Sequence, residues 1–261
     1  MKGENQMQKS VVVRLTFLEK CLGTLPSNEQ IYRDYIATKN EARTTKIIEE
    51  EVAALAPEEE SGRPVTTFAR VPDKKGNKQP AIKGYVLKGM FKNACQALRD
   101  CDDTLSSQIT AYKKFIDQKI FVNVATPSPY SIINVAGDVY KDEKLPILER
   151  PLRASTPQGE RVALTASEYV PEGSTIDFQI TALNDAAFAL VFEWLDYGML
   201  NGLGCWHNAG QGRFTYEIIS GDNRPDDVVI TTKKPRAKKA AKEEEAVTED
   251  KPKRGRPKKN A

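Results

Sequence analysis

The densest run of chemically useful residues is 198–214, GMLNGLGCWHNAGQGRF, where five of the chain's 16 glycines fall within 17 positions. Glycine costs backbone entropy on folding and permits positive φ and close backbone approach. A cluster of this kind suits a loop whose N–H groups converge on an anion. Gly204, Gly210 and Gly212 would bring that backbone close to a ligand. Trp206 and His207 can stack on flat rings, and Arg213 can bind a phosphate or stack. The ligand this loop describes carries phosphates and bases.

A second such place is 82–94, IKGYVLKGMFKNA, which reads as a helix opening on Lys-Gly pairs. Bare N–H groups, the positive end of a helix dipole and the ammonium of Lys83 or Lys88 together suit a phosphate. The bland alternative is an ordinary helix start with Gly84 and Gly89 serving packing. Residues 150–161, RPLRASTPQGER, carry three arginines. Arg153 and Arg161 read either as a flexible finger on a nucleic-acid backbone or as a solvated hairpin loop. Arg70, Lys74, Lys75 and Lys78 form another basic group, read as a soluble turn.

Near the end of the chain, 251–259 is KPKRGRPKK. It resembles the AT-hook. In that motif Arg254, Gly255, Arg256 and Pro257 would lie extended in a narrow minor groove, both arginines inward, with glycine permitting close approach. The flanking lysines add phosphate attraction that is independent of sequence. The plain alternative is a nonspecific basic tail.

Catalytic chemistry finds little purchase. The one histidine, His207, is the weak candidate for acid–base work. No P-loop motif occurs, and no Ser-His-Asp set can be assembled. Asp73 could position a metal, but turns favour aspartate anyway. Cys21, Cys95, Cys101 and Cys205 lack paired spacing, so no metal site and no cofactor is expected, and the thiols read as buried.

A chain of 261 residues can bury a full core. No apolar run approaches membrane-spanning length, and the first residues lack a signal-like core, so a cytoplasmic protein with no membrane partner is expected. The net charge of +3 conceals an asymmetry: residues 233–261 hold 12 Lys/Arg and 5 Asp/Glu, whereas residues 1–232 hold 27 and 31. A mildly acidic body with a basic tail points to nucleic acid as a partner of the tail.

The apolar patterning divides the chain into a folded body, 1–222, and a tail, 223–261, expected to be disordered for want of apolar residues. Strands are expected at 11–18, 65–71, 119–124, 130–135, 162–164, 174–183 and 213–219. Ser27 and Gln30 make a capping box before helical periodicity that runs to Leu55. A hairpin tip is expected at 73–78, a helix from about 84 to Cys101, and another from 186 to about 199 capped by Asn184-Asp185. The irregular mixture of strands and helices predicts an α+β fold with an antiparallel sheet.

The order of these elements, with the Lys-Gly helix start and the glycine loop ending in Gly212-Arg213-Phe214, resembles the RAMP superfamily, the ferredoxin-like RNA-binding proteins of CRISPR effector complexes. Only the two motifs are specific. Tyr85-Val86 stand where that family carries Ser-Ser, and the tail is foreign to it. Similarity to phage- and prophage-encoded proteins implies a stand-alone relative acting in a bacterial host cell. The resemblance implies a ferredoxin-like sheet with helices on one face and both motifs lining one groove. It also implies single-stranded RNA or DNA as ligand, with homo-oligomeric or filament-like assembly. Two alternatives stand beside it. One is an endoribonuclease of this fold using His207. The other is a phage structural or interaction protein that touches DNA, A·T-rich duplex included, through its tail alone.

Overall fold

The computed structural model describes residues 8–27, 65–73, 76–156 and 159–225. The capping box beyond Ser27, the helical pattern to Leu55, and the AT-hook-like motif with Arg254, Gly255, Arg256 and Pro257 lie outside them. The strands are β1 (Lys9–Phe17), β2 (Cys21–Leu22), β3 (Leu25–Pro26), β4 (Val65–Thr67), β5 (Ala69–Pro72) and β6 (Lys78–Lys83). They continue with β7 (Ile120–Val122), β8 (Tyr130–Asn134), β9 (Ile147–Thr156), β10 (Gly159–Val170), β11 (Thr175–Ala182) and β12 (Phe214–Gly221). Three α-helices lie among the described residues: α1 (Gly84–Leu98), α2 (Tyr112–Lys119) and α3 (Asp185–Asn201).

Strict alternation builds the main sheet. Val11, Val13, Leu15 and Phe17 of β1 are buried while Val12, Arg14 and Thr16 are not, and Ile176, Phe178 and Ile180 of β11 repeat the pattern. A period of two puts one face of each strand in the core. β1 sits between β12 and β11, antiparallel to both. The sheet runs β12-β1-β11-β8-β6-β5, with β7 also pairing β11. Leu87, Met90, Phe91, Ala94 and Cys95 of α1 and Phe188, Val191, Phe192 and Leu195 of α3 share its buried apolar face. Asn184 caps α3, its side chain accepting from Ala187 N at 2.8 Å. The two helices approach closely where α3 carries Gly198: a Cβ there would stand 2.7 Å from Met90 Sδ and 2.8 Å from Phe214 Cζ.

A second sheet runs β2-β10-β4-β3, with β9 on the far side of β10. The stretch 65–71, expected as one strand, is two. β4 pairs β3 and β10, the latter in parallel, whereas β5 pairs β6 of the main sheet. The break at Phe68 is held by Glu168, whose Oε2 accepts from Phe68 N at 3.2 Å, and by Arg70, which donates to Phe68 O. The 150–161 segment also differs from a plain loop. Its residues form the arms of a long hairpin, in register from Ile147↔Glu168 to Thr156↔Gly159. The arms are polar yet fully laddered, and a ladder needs backbone partners rather than apolar side chains.

The expected tip at 73–78 closes β5 onto β6, with Asp73 Oδ1 accepting from Asn77 N at 3.0 Å. Of the four cysteines, Cys21 and Cys95 are buried as expected. Cys101 is exposed because α1 ends at Leu98, and Cys205 is half-buried. The chain divides into two units, Met1–Ile230 and Thr231–Ala261. The second lies wholly outside the described residues. Among the described residues no helix is long and apolar enough to cross a membrane.

Candidate nucleic-acid interface

The helix start and the glycine loop meet. A cleft of about 400 Å³ is lined by Tyr85, Val86, Gly89 and Met90 of α1 and by Gly202, Leu203, Gly204 and His207 of the loop. Thr24, Leu25 and Pro26 form a further wall. The α1 N-terminus has Lys83 as an extended cap residue, no side-chain cap and no acidic residue in its first turn. Its first amide is used within the fold, Gly84 N donating to Pro129 O at 3.1 Å. Gly84 packs on β7, where a Cβ would lie 2.9 Å from Val122 Cγ1, whereas Gly89 has open space in front of it.

The two lysines of this motif lie outside the cleft wall. Lys83 Nζ stands 5.4 Å from the Tyr130 ring centroid. Lys88 points toward α2, its Nζ 3.7 Å from Asp117 Oδ1 and 5.7 Å from the Phe121 ring centroid. Burial pushes the Lys88 ammonium below the usual lysine range, against the pull of Asp117.

The loop is folded onto its own protein. Gly212 N donates to Lys20 O and Leu203 N to Gly212 O, each at 2.9 Å. Gly204 and Gly212 have φ of 95° and 76°, and a Cβ on either would strike backbone, Leu22 O for Gly204 and Leu203 O for Gly212. These glycines admit the chain's own backbone, a use that sequence alone does not separate from approach to a ligand. Gly210, also at positive φ, faces open space.

Arg213, half-exposed, is paired with Glu19 through both Nε and Nη2, and this pairing raises its pKa. Arg153 stands opposite Val162, and Arg161 opposite Ala154, in the β9–β10 ladder. His207 reaches the cleft, and its carbonyl accepts from Gly210 N at 2.9 Å. Among the described residues no side chain hydrogen-bonds its imidazole. Among the described residues no cluster of three or more His, Cys, Asp or Glu side chains is placed to hold a metal ion.

Sequence reasoning passed over Arg150 as an individual. It lies on β9, and its guanidinium carbon sits 4.4 Å from the Trp206 ring centroid. This joins the hairpin to the glycine loop. The signal was present, an arginine and a tryptophan each in a flagged segment, but their pairing depends on how the second sheet packs.

No protein-family model matches the chain, and no curated protein matches its sequence. Among solved structures it is similar to a chain of a type IV-B CRISPR complex, with 11% identity and a TM-score of 0.42, covering 86% of this chain and 95% of that one. It is also similar to a chain of a type III-B Cmr-beta complex bound to cognate target RNA. There the identity is 7% and the TM-score 0.36, over 82% of this chain and 60% of that one.

Proposed function

We propose that the body is a RAMP-like module that holds single-stranded RNA or DNA without cleaving it. The strand lies in the cleft between the α1 start and the glycine loop. The observation that carries this reading is the convergence itself: two segments far apart in sequence, the α1 start and the glycine loop, line one cleft. Tyr85, 40% exposed, and His207 give that cleft stacking surfaces. The uncapped, acid-free first turn of α1 favours an anion at its mouth.

The strand order supports a ferredoxin-like frame. β12-β1-β11-β7 with every neighbour antiparallel, α1 between β1 and β7, and α3 between β11 and β12 is a βαββαβ arrangement. The remaining strands are insertions on it. Lys83, Arg153, Arg161 and Arg213 contribute along the strand's path, Lys88 by its field rather than by contact. The tail, through Arg254 to Pro257, tethers A·T-rich duplex, and subunits assemble side by side along a strand.

The test is binding of full-length protein and of a 1–232 truncation to labelled single-stranded RNA, single-stranded DNA and A·T-rich duplex over a salt series. The truncation should bind a single strand, and only the full-length protein should bind duplex. A truncation that binds no single strand at low salt sinks the cleft reading and leaves the tail as the sole DNA contact. Cleavage that His207→Ala abolishes while binding survives would replace a binding module with a nuclease.

A further inference from the structure

Four arginines among the described residues hold carboxylates: Arg14 with Asp177, Arg70 with Glu168, Arg213 with Glu19 and Arg224 with Asp196. Arg150 holds none. Its Nε and Nη1 are shut away from solvent and donate to nothing. A buried charged donor without an acceptor carries the full cost of its lost hydration. Nε and Nη1 lie on opposite edges of the guanidinium, each edge shared with Nη2, so either edge can set one orphan donor and Nη2 against two oxygens of a single oxyanion, as Nε and Nη2 of Arg14 do for Asp177. The adjacent thiol of Cys205 does not supply the missing anion. Burial pushes its pKa up, with Arg150 pulling the other way, so it remains protonated near neutrality.

The partner beneath the guanidinium is also unusual. Trp206 has φ of 62°, in the left-handed region that bulky residues avoid. Every other positive-φ position between 202 and 212 is glycine: Gly202, Gly204, Gly210 and Gly212. Glycine would relieve the backbone at 206 as well. Keeping tryptophan there retains a ring at a conformational cost, a pattern characteristic of working sites. Trp206 is next in sequence to His207 and two residues from Gly204, both of which line the cleft wall.

We infer that Arg150 and Trp206 form an oxyanion subsite that takes a phosphodiester of the strand held in the neighbouring cleft. This rests on the single-strand reading above and names the group that reads the backbone. Trp206 fixes the guanidinium plane, and one edge of Arg150, an orphan donor beside Nη2, supplies two parallel N–H bonds that bind phosphate irrespective of base.

Full-length protein and Arg150→Met are compared for binding of a labelled single-stranded oligonucleotide and of inorganic pyrophosphate. Trp206 emission is the second signal, since Trp194 is fully buried. Methionine keeps apolar contact with the ring and removes the charge. The expected result is strand affinity roughly tenfold weaker, as for loss of one charge-assisted contact. The salt slope should fall by about one. The pyrophosphate response of Trp206 should vanish, and the ligand-free melting temperature should not fall. Arg150→Lys, which keeps the charge without the fork, should bind between the two.

Unchanged affinity and slope in Arg150→Met, with the parent protein binding strand, overturns the subsite and leaves the cleft reading intact. A lowered melting temperature with unchanged affinity makes Arg150 structural and likewise overturns it. Pyrophosphate bound through Arg150 by a protein that takes no strand keeps the oxyanion site and discards nucleic acid as its source. A parent protein that binds neither ends both readings.

Discussion

Arg70 and Arg150 are built from the same pieces and put to opposite use. Each guanidinium stands over an aromatic ring, Tyr140 at 5.8 Å for Arg70 and Trp206 at 4.4 Å for Arg150. Arg70 is closed: it donates to Glu168 Oε1 at 2.6 Å and to the carbonyls of Phe68 and Glu143 at 3.2 Å. Every direction of its fork is answered from within the protein. Arg150 keeps two donors unanswered. The contrast teaches that an arginine with buried donors reports structure or ligand according to what completes it. The residue type is the same in both cases, and each guanidinium has an aromatic ring beneath it.

Opening the closed site is the most severe way to test the contrast. Glu168→Gln leaves the Arg70 guanidinium, 2% exposed, without its counter-charge. It should cost about 3–5 kcal/mol in chemical denaturation, the usual penalty for breaking one side of a buried pair. A loss under about 1 kcal/mol would erase the distinction between the two arginines.

Next in size is the loop that presents Trp206. Gly212→Ala adds a Cβ that overlaps Leu203 O at positive φ and should destabilise by about 2–5 kcal/mol. Gly210→Ala, with open space in front of it, should cost only the left-handed backbone term, about 1–2 kcal/mol. Equal effects would mean that the loop is not pinned at Gly212.

The smallest effect should be at Cys205. Arg150 partly offsets the burial that raises its thiol pKa, so Arg150→Met should raise it further and slow alkylation at mildly alkaline pH. Exposed Cys101 serves as the internal reference for that rate. A faster reaction at Cys205 in the variant would show that the arginine was shielding the thiol rather than polarising it.

Much of the frame was legible. An apolar run marked β1, alternation marked β11, Asn184 announced the start of α3, and Asp73 closed the β5–β6 turn, because each signal is local and its physics acts within a few residues. What escaped notice was decided at a distance. The split of 65–71 depends on Glu168, about a hundred residues away, answering Phe68 N. The use of Gly204 and Gly212 depends on the backbone of Leu22 and Leu203. The importance of Arg150 lies in partners it lacks, and an absence leaves no trace in a sequence.

Gly198 sets a mechanical tolerance. The missing side chain lets α3 sit against Met90 of α1, and the cleft opens at the ends of these same two helices, Tyr85 to Met90 on one and Asn201 to Gly202 just past the other. The helix pair therefore works as a calliper whose jaws are the cleft walls. Its gap is gauged deep in the core, by one hydrogen atom where any other residue would place a carbon. A methyl group at 198 would act on the aperture without touching anything that enters it.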